Sequence, residues 1–207
     1  MKVFIKDHPK LVAISSHNAI PPLPNSDEIN VYPIVFLRHP ITRAYSAFQF
    51  EWGKQKGLEE PDKEFSDYII DKFKKPRKNA IENFQVMHLA NRAHECRCPS
   101  GKLTDKQLLN NAKAFIKTCP FFGLVERYNE SMVRAHLYLS SKFSKFRGTI
   151  HKENISTNKS STVLDLQVEG ILSDLPEDVR KSLIERNKLD LSLYEYAAKR
   201  FITMGLE

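Results

Sequence analysis

The chain has 207 residues, and 32 Lys and Arg against 25 Asp and Glu give it a formal net charge of +7. Hydrophobic residues make up 41% of the sequence, enough to form one substantial core, so we predict a single domain over residues 1–207. The longest apolar run spans residues 34–37, far short of the roughly 20 residues that cross a bilayer, so no membrane segment is expected in this chain. The seven glycines lack the spacing of a Walker A or dinucleotide-binding motif, which excludes a glycine-rich phosphate loop from these residues.

The first third of the chain predicts a strand, a loop, a second strand and a helix. Residues 11–14 are apolar and predict a short buried strand that ends just before His17, and the prolines at 21, 22 and 24 predict a loop. Residues 31–37 are β-branched and apolar, as expected of a strand covered on both faces. Pro40 then stands at a helix-entry position. The apolar residues that follow recur at helical spacing: Ile41, Ala44, Tyr45, Phe48 and Trp52.

The rest of the chain predicts mostly helices. They are expected over 63–73, 83–93, 104–117 and 128–142, then after Pro176 and through 189–196, with a second core strand over 121–125 and a polar loop over 148–162. Strands that alternate with helices are typical of an α/β layer fold with a largely parallel sheet.

The basic residues are concentrated in two places. Five lie within 72–78, and the stretch between Glu130 and Glu153 contains no acidic residue. These clusters are either solvated helix faces or a surface for an anionic partner such as a nucleotide, an acidic sugar or a nucleic acid. A nucleic acid is the weakest of these partners, because no nucleic-acid-binding motif is present.

The three cysteines, Cys96, Cys98 and Cys119, are an odd number and lack the spacing of a zinc site. We therefore predict no metal site. The thiols are either all reduced, or two form a disulfide and one is free.

Residues 36–46 carry the pattern most informative about chemistry. In an open α/β sheet, ligands bind beyond the carboxyl ends of the strands, which is where Arg38 is expected. The N-terminus of the following helix would direct free N–H groups to the same place, and Ser46 could add a hydroxyl two turns further on. This arrangement suits an anion such as a phosphate. The alternative is that Arg38 pairs with a nearby carboxylate and Ser46 is merely a small residue at a helix contact.

Residues 38–46, read as Arg-x-Pro-x-x-Arg-x-x-Ser after an apolar strand, resemble the 3′-phosphate-binding segment of PAPS-dependent carbohydrate sulfotransferases, in particular the heparan sulfate 2-O-sulfotransferase group. Three further stretches resemble this family in the same order along the chain. They are Asn83-Phe84-Gln85 with Leu89-Ala90, then Phe122-Gly123-Leu124-Val125-Glu126, which is similar to the family's Phe-x-Gly-x-x-Glu junction, then the closing helix around Leu193-Tyr194-Glu195-Tyr196.

The resemblance implies a P-loop-nucleotide-kinase-like three-layer α/β fold with a mostly parallel sheet. It implies sulfuryl transfer from the co-substrate PAPS to a hydroxyl of a carbohydrate, with PAP as the product, and the basic clusters would attract an acidic acceptor. Matched position by position, Arg38 and Ser46 would hold the 3′-phosphate, and His17 would be the catalytic base. Asn154-Ile155-Ser156 falls where the family has a loop over the nucleotide.

Two features depart from the family pattern. His39 stands where the family usually has aspartate. The family also begins with a strand, a phosphosulfate-binding loop carrying a lysine, and a helix, none of which precedes His17 here. We therefore expect an N-terminally incomplete domain, either truncated or a remnant, with severely reduced or no sulfuryl transfer on its own. The alternative function is a catalytically inactive module that binds nucleotides or polyanions. The chain as written would be cytoplasmic, and a fragment of a membrane-anchored eukaryotic enzyme would lie in the Golgi lumen.

Overall fold

The computed structural model describes residues 2–8, 10–15, 20–24, 27–74, 80–90, 103–146 and 161–204. Within these ranges the protein is a mixed α/β structure with a small parallel sheet and many helices. None of the helices in these ranges is long and apolar enough to cross a membrane.

The sheet pairs β1 (Val35–Leu37) with β2 (Phe122–Leu124), with Val35 opposite Phe122 and Leu37 opposite Leu124. The helices are α1 (Lys2–Asp7), α2 (Pro40–Phe48), α3 (Phe65–Lys74), α4 (Phe84–Leu89), α5 (Asp105–Thr118), α6 (Tyr128–Ser140), α7 (Ser161–Ser173), α8 (Glu177–Arg186) and α9 (Lys188–Thr203). A π-helical turn (Gln49–Gly53) extends α2, and a 3-10 turn (Val125–Arg127) joins β2 to α6.

The predicted strand over 11–14 is wrong. Residues 11–15 form no strand and lie on the surface, with Val12 84% exposed. An apolar run becomes a strand only when another strand supplies its hydrogen bonds, and the described sheet contains only β1 and β2. Of the strand predicted over 31–37, only the last three residues are confirmed as a strand. The residue just before them, Ile34, is 52% exposed and is not covered as a buried strand would be.

The helix after Pro40 is confirmed, with Ile41, Ala44 and Phe48 on its buried face. The helices predicted over 63–73, 104–117 and 128–142 and after Pro176 are also confirmed, with ends that shift by up to two residues, and the helix predicted through 189–196 lies within α9. Of the helix predicted over 83–93, Phe84–Leu89 is helical and residues 91–93 lie outside the described ranges. α7 was not predicted, although its buried or half-buried residues Leu164, Val168 and Ile171 have helical spacing that could have indicated it.

Gly123 in β2 is required by close packing. A Cβ atom at this position would lie 2.6 Å from Cε1 of Phe36 in β1 and 2.9 Å from Cβ of Ser131 in α6. Contacts that short do not occur between real atoms, so any larger residue would push β2 away from its neighbours. The glycine therefore allows the strand pair and α6 to meet.

Two hydrophobic clusters form the core. The first packs the sheet against α4, α5 and α9, and the second packs α2 against α3, α7 and α8. Leu37 at the end of β1 belongs to the first cluster, whereas Ile41 in the first turn of α2 belongs to the second. The turn between them, residues 38–40, is thus held between two packed bodies.

Candidate active site

The backbone of Arg38 is fixed by the side chain of Gln85. The Arg38 N–H donates to Gln85 Oε1 at 2.9 Å, and Gln85 Nε2 donates to the Arg38 carbonyl at 2.8 Å. Gln85 is buried, so this amide has no competing water. The pair of bonds fixes the peptide planes from which the Arg38 side chain leaves the end of β1.

The other side of the turn is held by Glu126, which is only 5% exposed. Its Oε1 accepts the His39 N–H at 2.9 Å and the Thr42 hydroxyl at 3.2 Å, and its Oε2 accepts the Tyr194 hydroxyl at 3.0 Å. Burial and the adjacent carboxylate raise the pKa of Tyr194, so its phenol remains a donor. Glu126 therefore ties β2 and α9 to the entry of α2.

Gln85 is positioned in turn by Asp190, which is almost completely buried in α9. The Asp190 carboxylate accepts the N–H groups of Gln85 at 2.9 Å and Val86 at 2.7 Å, at the free N-terminus of α4. Burial raises the pKa of Asp190, and these two hydrogen bonds oppose that effect.

The guanidinium of Arg38 makes no hydrogen bond or close ion pair with any residue the structure describes. Burial lowers its pKa, and the charge of Glu126 acts in the opposite direction. A desolvated cation is costly unless a counter-charge approaches it. The described residues do not show the alternative arrangement, in which a carboxylate pairs directly with Arg38. The carboxylate of Glu126 accepts hydrogen bonds from His39 and Thr42 instead.

Arg43, the second arginine of the motif, has a structural role. Its guanidinium stacks on the Phe84 ring with 3.8 Å between Cζ and the ring centroid, and it donates to the Ala80 carbonyl. Burial lowers its pKa, the nearby Asp190 opposes this, and the positive charge of Arg38 adds to it. Two arginines thus raise the positive potential here, and of the two, Arg38 is the one without a contact partner among the described residues.

Ser46 is half-buried on α2, on the face that also carries Thr42 and Arg43 one turn earlier. Its hydroxyl makes no hydrogen bond to a described residue, and it does not contact Arg38 directly. An anion that bridges the two side chains would have to lie along this face of α2.

His39 is held neutral in the folded protein, because burial lowers its pKa more than Glu126 and Asp165 raise it. Its Nδ1 is buried without a hydrogen-bond partner, and its ring meets Tyr194 edge to face at 5.2 Å between centroids. No side chain caps α2 from His39. Instead, the carboxylate of Glu126 lies at the positive N-terminal end of α2, where the sequence predicted free N–H groups for an anionic ligand. Glu126 belongs to the stretch that resembles the family's Phe-x-Gly-x-x-Glu junction, but no role was predicted for it.

Several predicted residues lie outside the described ranges. They are His17, the proposed base, the loop with Asn154-Ile155-Ser156, Cys96 and Cys98, and the basic residues from Lys75 to Lys78. Cys119 is described as a buried free thiol that donates to the Phe121 carbonyl at 3.0 Å. Burial raises its pKa, which keeps the thiol protonated and unreactive.

The fold and the site together define an α/β protein with an open arginine at the carboxyl end of a parallel strand. The chain belongs to the Sulfotransferase family, whose sequence pattern matches residues 14–197. This membership indicates sulfuryl transfer, in a family that generally uses PAPS and has this kind of α/β fold. The chain is also similar to an uncharacterized protein of Archaeoglobus fulgidus, with 29% identity over 202 residues that cover 93% of this chain and 76% of that relative.

Proposed function

We propose that this protein binds PAPS, with Arg38 and Ser46 on the 3′-phosphate, and transfers its sulfuryl group to a hydroxyl of a carbohydrate acceptor. The observation that carries the proposal is Arg38, whose backbone is fixed by Gln85 and whose guanidinium is partly desolvated and without a counter-charge in contact among the described residues. A phosphate dianion would supply that charge through two parallel hydrogen bonds to the planar guanidinium.

The transfer step needs a base and a stabilised leaving group. His17 would take the proton of the acceptor hydroxyl as the new O–S bond forms. The bond between sulfur and the bridging phosphate oxygen breaks, and its electron pair leaves with the 5′-phosphate of PAP. Arg38 would not act on the sulfur itself but would fix the distance between nucleotide and acceptor by anchoring the far end of the nucleotide. The role of His17 rests on the family resemblance.

The wider assignments are also part of this proposal. They are the three-layer, P-loop-nucleotide-kinase-like domain over residues 1–207 and the likeness to heparan sulfate 2-O-sulfotransferase. The collinear order of the four matching stretches supports them. So does the way Gln85, Glu126 and Tyr194, each from a different stretch, converge on the turn at Arg38 and His39.

Nucleotide binding by Arg38→Ala tests the proposal. PAP should stabilise the wild-type protein in a saturable thermal-shift or calorimetric titration. The variant should bind PAP about tenfold to a hundredfold more weakly, because a charge-assisted contact is lost. 5′-AMP, which has no 3′-phosphate, should bind both proteins equally. Arg180→Ala removes an exposed arginine paired with Glu177 and serves as the matched control.

The alternatives give different results. If PAP binds but PAPS yields no sulfated product with any sugar offered, the protein is a nucleotide-binding module without transferase activity. If duplex DNA stabilises the protein with steep salt dependence and PAP does not, the nucleotide proposal is wrong. If Arg38→Ala binds PAP as well as wild type does, the 3′-phosphate does not lie at Arg38.

A further inference from the structure

A cavity of about 950 Å³ lies next to the site, beyond the carboxyl end of β2. Its floor is formed by His39, Glu126 and Tyr194, the same residues that hold the entry of α2. Its apolar walls come from the end of β2 and from α7 and α9: Leu124, Leu164, Leu191, Ala198 and Ile202. A cavity of this size accommodates one or two sugar rings with an apolar substituent.

Among the described residues, each basic side chain that lines the cavity already has an acidic partner. Its two basic side chains are both engaged, Arg127 with Glu130 at 2.5 Å and Lys188 with Glu185 at 2.6 Å. The imidazole of His39 is held neutral by burial. An acidic ligand would therefore meet no unpaired cation among the described residues of the cavity.

Of the four carboxylates that line the cavity, three have hydrogen-bond or ion-pair partners and one has none among the described residues. Glu126 is satisfied by three donors, Glu130 is paired with two arginines, and Glu195 is paired with Lys199. Asp165, on the exposed side of α7, has no hydrogen bond or ion pair with any described residue. It lines the same cavity, and its negative charge acts to raise the pKa values of His39 and Tyr194.

We propose that this cavity binds the acceptor, and that the acceptor is a neutral or amino-bearing sugar with an apolar substituent rather than a uronic acid or a sulfated sugar. The apolar walls would pack on the substituent, and Asp165 would accept hydrogen bonds from an ammonium or hydroxyl group. This inference rests on the proposed function and departs from the acidic acceptor that the basic clusters of the sequence suggested.

A matched ligand series tests the inference. The probes are the p-nitrophenyl glycosides of glucosamine, glucose and glucuronic acid, which share an aryl group and a pyranose ring but carry positive, zero and negative charge. Binding to the full chain is measured by calorimetry and saturation-transfer NMR, with and without saturating PAP. We expect the glucosaminide to bind about fivefold to tenfold more tightly than the glucuronide, with the glucoside between them, because the interaction with the exposed charge of Asp165 changes from attraction to repulsion.

The variant Asp165→Asn should abolish this order while leaving PAP affinity unchanged. Glu169→Gln, one turn further along α7 and outside the cavity, is the matched control and should keep the wild-type order. The inference is wrong if the glucuronide binds as tightly as the glucosaminide, if none of the glycosides binds, or if Asp165→Asn preserves the order. PAP binding is measured separately. A protein that binds PAP but none of the glycosides can therefore be distinguished from one that does not bind PAP.

Discussion

His39 shows how one residue can combine a structural and an electrostatic role. Its backbone N–H is held by Glu126, its ring lies against Tyr194, and its Nδ1 is buried without a partner. An imidazolium in this position would lose its hydration, so the folded state favours the neutral ring. The residue therefore links the stability of the α2 entry to pH.

The sign of that linkage follows from the lowered pKa. The unfolded chain takes up a proton at His39 near pH 6.5, and the folded chain does so only at lower pH. The stabilising contribution of the neutral ring is thus fully present above pH 6.5 and is lost as the pH falls through the window below it. Urea unfolding at pH 7.5, 6.5 and 5.5 should show that wild type loses more stability than His39→Gln, by at most about 1.4 kcal/mol per pH unit.

The control for this experiment is His136→Gln, which removes an exposed histidine of α6. It should follow the wild-type pH dependence. Equal pH dependence of wild type and His39→Gln would show that the neutral His39 ring does not contribute.

At the scale of elements, α4 and α9 cap each other. Asp190 from α9 accepts the first N–H groups of α4, while Asn83 before α4 accepts the N–H groups of Leu189 at 3.0 Å and Asp190 at 3.1 Å. Asn83 itself has a left-handed backbone, with φ of 43°, which asparagine tolerates better than most residues. The N-termini of α4, which contains Gln85, and of α9 thus depend on two polar side chains, those of Asp190 and Asn83.

Two substitutions of Asn83 distinguish the effect of losing the helix cap from the cost of the left-handed backbone. Asn83→Gly should lower the free energy of unfolding by about 1–2 kcal/mol, because two helix N–H groups lose their acceptor. Asn83→Ala should cost about 1 kcal/mol more, because Cβ disfavours the left-handed backbone without offering a side-chain bond. Chemical unfolding of both variants measures this. If the alanine variant is as stable as the glycine variant, the positive φ does not persist in solution.

At the scale of the whole molecule, two hydrophobic clusters meet at the functional turn. Leu193 is fully buried in the cluster around the sheet, whereas the single tryptophan, Trp52, packs against the other cluster. β1 leads directly into α2, and α8 directly into α9, so both chain connections join the clusters over very few residues. We expect the clusters to unfold together.

Leu193→Ala tests this cooperativity. The lost packing should lower the free energy of unfolding by about 2–5 kcal/mol. Trp52 fluorescence and far-UV circular dichroism should report the same shifted midpoint, although Leu193 and Trp52 belong to different clusters. Leu166→Ala, at a 64% exposed position of α7, should leave the midpoint nearly unchanged. A fluorescence midpoint that stays at the wild-type value while the dichroism midpoint falls would show that the clusters unfold independently.

The sequence by itself determined the elements whose signals are local. Pro40 and the apolar spacing from Ile41 to Phe48 predicted α2, and the apolar run before it predicted the strand that ends just before Arg38. Local signals could not show whether a run would find a partner. Residues 11–14 and 31–37 are both apolar, and only the end of the second run pairs in the sheet.

Only the tertiary structure decided how the turn is held and which charges remain open. Glu126 is 87 residues from His39 and Gln85 is 47 residues from Arg38, so their hydrogen bonds cannot be read from spacing. The same holds for Arg43, whose contacts with Phe84 and Ala80 leave Arg38 as the one of the two arginines without a contact partner among the described residues. The basic clusters of the sequence had favoured an acidic acceptor, whereas among the described residues of the cavity both cations are paired and Asp165 has no partner. A cluster of charge can be read along the chain, but binding depends on the charges that packing leaves without a partner at the site.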